Sequence, residues 1–190
     1  MMRWSTRTDE ATWLASDDET DLVLGPTGYE AYARLRLLPD PVRPRQQEGD
    51  VPSWPDEYPT RTALLADAVD ALAPHTTTAD DALFLVWDSG VSTIPAEVRA
   101  RSHLPLTNRD TYLAEGTLAE LRNWHDNLRL DEYDKPCFIW PRDRAWCLVH
   151  DVDPHFAGAC GTPAAIAALL AVPRLHAVPQ DRATRPPLYY

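Results

Sequence analysis

A chain of 190 residues that is 44% hydrophobic, with seven Trp and seven Tyr, has a globular composition, and at this length roughly 70% of the unfolded surface is buried on folding, so no disulfide or metal staple is required. The net charge is −11, and residues 1–100 carry 18 acidic and 8 basic side chains, a net of −10. Phosphate backbones are repelled by such a surface, which disfavours nucleic acid and suits a cationic partner or simple solubility.

In chain order, Met1 to Thr20 is polar and charged around Trp4 and Trp13 and reads as an N-terminal arm with one short helix or strand. Asp21 to Pro26 reads as a short strand ended by Gly25 and Pro26. Tyr29 to Leu38 alternates in steps of two and predicts a strand. Residues 42–59 form a long, proline-rich, acidic loop, with Glu48, Asp50, Asp56 and Glu57 flanking Trp54. Loops of this length and composition serve as insertions or binding elements. Trp54 is expected to pack back on the body.

Thr60 to Ala73 is the clearest helix, with Leu64, Leu65, Ala68, Val69 and Leu72 on one face. Ala82 to Trp87 is a continuous apolar run, as expected of a strand buried on both faces. Residues 103–106 and 111–113 are short strand candidates. Thr117 and Glu120 have capping-box spacing and open a helix to about Asn127. Cys137 to Trp140 and Ala145 to His150 flank the turn Pro141 to Arg144 and predict an antiparallel hairpin. A small-residue stretch then reads as a loop. Thr162 and Pro163 start a helix that Pro173 stops. Arg174 to Val178 reads as a last strand, and residues 180–190 as a tail. The expectation is a single α+β domain over residues 1–190, with a mostly antiparallel sheet and about three helices covering one face.

The three cysteines, Cys137, Cys147 and Cys160, are odd in number, and two sit within apolar runs. They read as reduced, buried side chains of a cytoplasmic protein. No signal-peptide pattern and no apolar run approaching 18 residues is present, so neither export nor a membrane span is expected. His150-Asp-Val-Asp-Pro-His155 is the one segment dense in possible ligands, but its spacing fits no zinc signature. Cys147 with His150 or His125 would be a nucleophile–base pair, in a poor position for a thiolate. Ser89-Gly90 lacks the upstream glycine of a nucleophile elbow. Asp80 with Asp81, and Asp131 with Glu132 and Asp134, read as solvated faces. With seven glycines, no phosphate loop or dinucleotide fingerprint is present.

The phrase Trp140-Pro-Arg-Asp-Arg-Ala-Trp-Cys-Leu-Val-His-Asp-Val-Asp153 resembles a segment of an uncharacterised family of actinobacterial proteins, with supporting pieces at 28–34, 72–78 and 84–88. More weakly, the acidic α+β pattern with tryptophan phrases is similar to the SUKH superfamily of cell-wall-regulator and bacterial immunity proteins. The second resemblance implies a protein that neutralises a toxin by direct contact. Taken with the charge, it leads to the expectation of a non-enzymatic protein-binding module of the immunity or regulatory kind. No catalytic residue, metal site or cofactor is expected. Its basic protein partner would be met at Glu48, Asp50, Trp54, Asp56 and Glu57, where acidic groups surround an aromatic anchor. The alternative is a small hydrolase or metal-dependent enzyme built on His150–His155.

Overall fold

The computed structural model describes residues 1–16, 18–51, 60–101, 103–106, 109–131, 133–151 and 153–190. Its strands are β1 (Arg3–Trp4), β2 (Ala31–Arg36), β3 (Ala82–Trp87), β4 (Leu104–Leu106), β5 (Arg109–Gly116), β6 (Pro136–Pro141), β7 (Trp146–Val149), β8 (Phe156–Gly161) and β9 (Ala177–Gln180). They form one antiparallel sheet in the order β1-β5-β3-β6-β7-β8-β2-β9, with β4 also paired to β5. The helices are α1 (Glu19–Leu24), α2 (Arg61–Leu72), α3 (Ala96–Arg99), α4 (Trp124–Leu128) and α5 (Pro163–Leu170), joined by short 3-10 turns. The α+β class and the antiparallel sheet agree with the sequence reading. No helix among the described residues is long and apolar enough to cross a membrane.

The apolar run of β3 lies between β5 and β6, and Ala82 to Val86 are at most 1% exposed. Alternation divides it: Ala82, Phe84 and Val86 join one core, and Leu83 and Leu85 the other. On the first face, Thr60 caps α2 by accepting from the Ala63 N–H at 3.2 Å, and Thr162 caps α5 by accepting from Ala165 at 3.2 Å. Leu64, Leu65, Val69 and Leu72 of α2 and Ile166 and Leu169 of α5 then bury against the sheet. The helix expected from Thr117 begins as a 3-10 stretch, Leu118–Asn123, and becomes α4 only at Trp124. Its capping residue is confirmed: the Glu120 carboxylate accepts from the N–H groups of Thr117 (2.9 Å) and Met2 (2.8 Å), which ties β1 down.

The hairpin β6–β7 pairs Phe138 with Val149 and Ile139 with Leu148. Its turn closes through Arg144 N–H to Pro141 O (2.8 Å), with Arg144 left-handed at φ 54°. Asp143 accepts from Ala145 N–H and from the Thr76 and Thr77 groups, which pins the turn to the segment after α2. Trp140 and Trp146 are both fully buried, on opposite faces.

Four expectations are corrected. Asp21 to Pro26 is not a strand: residues 19–24 form α1, because Asp18 caps it by accepting from Thr20 N–H (2.9 Å) and Glu19 and Asp21 occupy its first turn. A three-residue apolar run, Leu22 to Leu24, does not distinguish the two states. The small-residue loop contains β8, a fully buried strand between β7 and β2. Its residues are small because α1 lies directly on it. A Cβ on Gly158 would sit 2.2 Å from Val23 O and 2.7 Å from Leu24 Cα. Helical segments cover both faces, since the 3-10 stretch Thr8–Leu14 and α1 pack Ala11, Leu14, Leu22 and Leu24 into the second core. The last strand starts at Ala177, after a 3-10 turn at Pro173–Leu175.

Candidate binding cleft

Antiparallel order brings the end of β3, the start of β5, the segment after β7 and the start of β8 to one end of the sheet. Four side chains converge there: Trp87, Arg109, Asp151 and His155. Together with α1, the 47–49 turn and the tail at 188–190, they enclose a cleft of about 850 Å³. The aromatic part is Trp87, Tyr189 and Tyr190. Among the described residues the carboxylates are Glu19, Glu48, Asp151 and Asp153, against the single cation Arg109.

Arg109 reaches Asp151 at 2.7 Å and Asp153 at 3.5 Å, and its guanidinium lies 5.1 Å from the centre of the Trp87 ring. The ion pair with Asp151 is largely buried (15% and 11% exposed side chains), so it fixes the cleft floor more firmly than a surface pair would. A second anchored group adjoins it. His155 Nε2 is 3.0 Å from Asp40 Oδ1, and Arg34 donates to both Asp40 oxygens at 2.6 and 3.1 Å. Burial raises the Asp40 pKa, but the hydrogen bonds and charge of Arg34 and His155 outweigh it and hold the carboxyl below the usual range. The tail is tied over this group. The Tyr189 ring meets His155 edge-on at 4.7 Å, its hydroxyl donates to Pro39 O, and Tyr190 N–H donates to Gln46 O at 3.0 Å. Tyr190 itself is 83% exposed.

Of the residues expected to bind, Glu48 and Asp50 form a 3-10 turn with Gly49. Glu48 lines the cleft, whereas Asp50 is turned to Arg43 at 2.8 Å. Trp54, Asp56 and Glu57 lie outside the described residues. The acidic arm contributes Glu19 to the cleft, while Asp18 and Asp21 pair with Arg182 of the tail. The His150–His155 segment is split among three destinations: Asp151 and Asp153 to Arg109, His155 to Asp40, and His150 to a separate cavity. No group of three His, Cys, Asp or Glu placed to hold a metal ion occurs among the described residues. Burial pushes the Cys147 thiol well up, the opposite of what a nucleophile requires.

Sequence reasoning named His155 only as a possible metal ligand and missed Trp87, Arg109, the pairing of His155 with Asp40, and the two tail tyrosines. Trp87, Arg109 and His155 each lie at or next to a strand end, a signal that becomes informative only once the strand order is known. No family model, curated protein or solved structure matches the chain.

Proposed function

We propose that the protein is a binding module of the immunity or regulatory kind that receives a basic segment of a partner protein in this cleft. The observation that carries the reading is the composition of the cleft. Among the described residues, four carboxylates and three aromatic rings face one space, and the cation there, Arg109, is already paired. A lysine or arginine side chain is held by that combination through charge and through the ring faces. Tyr190 supplies an exposed aromatic anchor at the mouth. The excess negative charge of residues 1–100 steers a basic partner toward it.

The hydrolytic alternative gains little support. His155 Nε2 is committed to Asp40, and its Nδ1 is buried without a hydrogen-bond partner, so neither ring nitrogen faces an entering substrate.

The test is titration with an arginine-rich peptide and an acidic peptide of equal length, followed by Trp fluorescence. Saturable binding of the basic peptide alone is expected, weakening steeply with salt and on changing Glu19 and Glu48 to Gln. Equal binding of both peptides, or indifference to these substitutions, rules the cleft out.

A further inference from the structure

The tail after β9 is tied to two walls of the cleft. Its first residues, 181–184, form a turn closed on Asp181, which accepts from the Ala183 N–H at 2.9 Å and the Thr184 hydroxyl at 3.1 Å. This turn presents Arg182 to α1. The guanidinium donates to Asp18 and to the Gly25 carbonyl, both at 3.0 Å, and to Asp21, and it lies 5.7 Å from the centre of the Tyr32 ring. Asp21 is only 6% exposed, so this anchor is firmer than a surface ion pair. Pro186 and Pro187 follow, where the fixed φ stiffens the chain. At the far end Tyr189 grips Pro39 O and the His155 ring, the Tyr190 N–H donates to Gln46 O, and the Arg45 guanidinium lies 5.8 Å from the centre of the Tyr190 ring.

The two anchors adjoin the two acidic groups of the walls. Glu19 lies between Asp18 and Asp21, in the turn of α1 that Arg182 holds, and Glu48 follows Gln46 by two residues. Arg34 joins the anchors from below. It donates to Gln180 at the root of the tail at 2.7 Å, and to Asp40, the partner of His155. With the tail in place the cleft still measures about 850 Å³. The tail therefore lines the cleft instead of filling it, which is the geometry of a strap and not of an inhibitory plug.

We infer that the tail is a strap that fixes the spacing of Glu19 and Glu48, so that two cationic groups of one basic segment meet a preformed pair of carboxylates. This rests on the reading of the cleft as the seat of such a segment. Arg182 is a positioning residue: it engages Asp18 and Asp21 and leaves Glu19, among the described residues of this turn, to the cleft. Holding the walls in place beforehand removes part of the ordering cost of binding.

Hydrogen exchange, and titration with the arginine-rich peptide, test this on the full chain with Arg182→Gln, Arg182→Lys and Tyr189→Ala. A strap transmits slack from one end to the other. Tyr189→Ala should raise exchange at 19–24 as well as at 39–49, and Arg182→Gln at 39–49 as well as at 19–24, while α2 stays protected. Both should weaken the peptide about tenfold, the factor expected when about one-tenth of the molecules keep the binding spacing. Arg182→Gln makes the surface more negative, so charge alone would tighten a basic peptide, and weakening has the opposite sign. Arg182→Lys keeps the charge but loses the fork to three acceptors, and should fall between parent and Arg182→Gln. Should Arg182→Gln unfold α1, because Asp21 is left buried without its cation, Tyr189→Ala at its half-buried site carries the test. Exchange that rises only at the substituted end, or peptide affinity that stays or tightens in Arg182→Gln and Tyr189→Ala, overturns the strap. If the parent binds no basic peptide, the reading of the cleft falls, and the exchange result alone decides for or against the strap.

Discussion

The two faces of the sheet are covered in different ways. One carries α2 and α5, capped helices with periodic aliphatic stripes, and buries Trp124 and Trp146 among them. The other is closed by a 3-10 stretch, the six-residue α1 and aromatic pairs such as Trp13 edge-on to Trp140 at 5.8 Å. Regular helices bury area through repeating side chains, so their seal is continuous along the sheet. Short segments seal only where backbone lies directly on backbone, as α1 does on β8, and their ends leave open space. The cleft lies at such an end, bounded by Glu19, Leu22 and Val23 of α1.

The hardest test of this contrast is to remove a core side chain from the helical face. Trp146→Ala is expected to cost about 3–5 kcal/mol, a large share of a domain's stability, and to give expanded or poorly folded protein. A urea midpoint unchanged from the parent would mean that Trp146 is not part of the core. Gly158→Ala attacks the other face alone. Its new methyl collides with Val23 O and Leu24 Cα, so α1 must lift, at an overall cost of about 1–3 kcal/mol. Hydrogen exchange should rise across 19–24 while α2 stays protected. Equal loss of protection on both faces would show that they do not unfold independently.

A smaller effect is expected at the pin between the hairpin turn and the segment after α2. Partial burial opposes ionisation of Asp143, but the Thr77 N–H, the Thr76 and Thr77 hydroxyls and the Ala145 N–H together hold its pKa at about 2. A carboxyl depressed on folding stabilises above its unfolded pKa, near 3.9, and that contribution disappears as the pH falls through the folded value. Asp143→Asn should therefore cost about 1 kcal/mol at neutral pH, with the gap to the parent narrowing between about pH 4 and about pH 2. A gap independent of pH would assign the loss to packing. The smallest effect on stability belongs to the cleft rim. Glu19→Gln with Glu48→Gln should leave stability within about 0.5 kcal/mol, while weakening association with a basic peptide and flattening its salt dependence.

Legibility in the sequence follows the same division. The β6–β7 hairpin, β3, α2 and α5 were readable because each carries its own signal: a turn between apolar runs, an unbroken apolar strand, or Thr caps before a helical stripe. β8 was not readable, since Phe-Ala-Gly-Ala-Cys-Gly resembles a loop until the backbone packed on it is known. α1 was missed because its cap, Asp18, merges with neighbouring acids. In the cleft, Glu48 was named beforehand as a binding residue, and Asp151, Asp153 and His155 only as part of a ligand-dense segment. Trp87 and Arg109 carry no local pattern, and with His155 they meet the tail tyrosines across separations that no short-range rule connects.

Trp87 and Asp151 line both the cleft and the cavity behind it, so the two spaces share a partition. Any occupant that shifts this partition from one side alters the fit on the other. Thermodynamics makes such an influence mutual: the factor by which an occupant of the cavity changes the affinity for a basic peptide equals the factor by which the peptide changes the affinity for that occupant. A thermodynamic cycle closed over titrations with the two occupants would give that factor, and a value of unity would describe a rigid partition between two independent rooms.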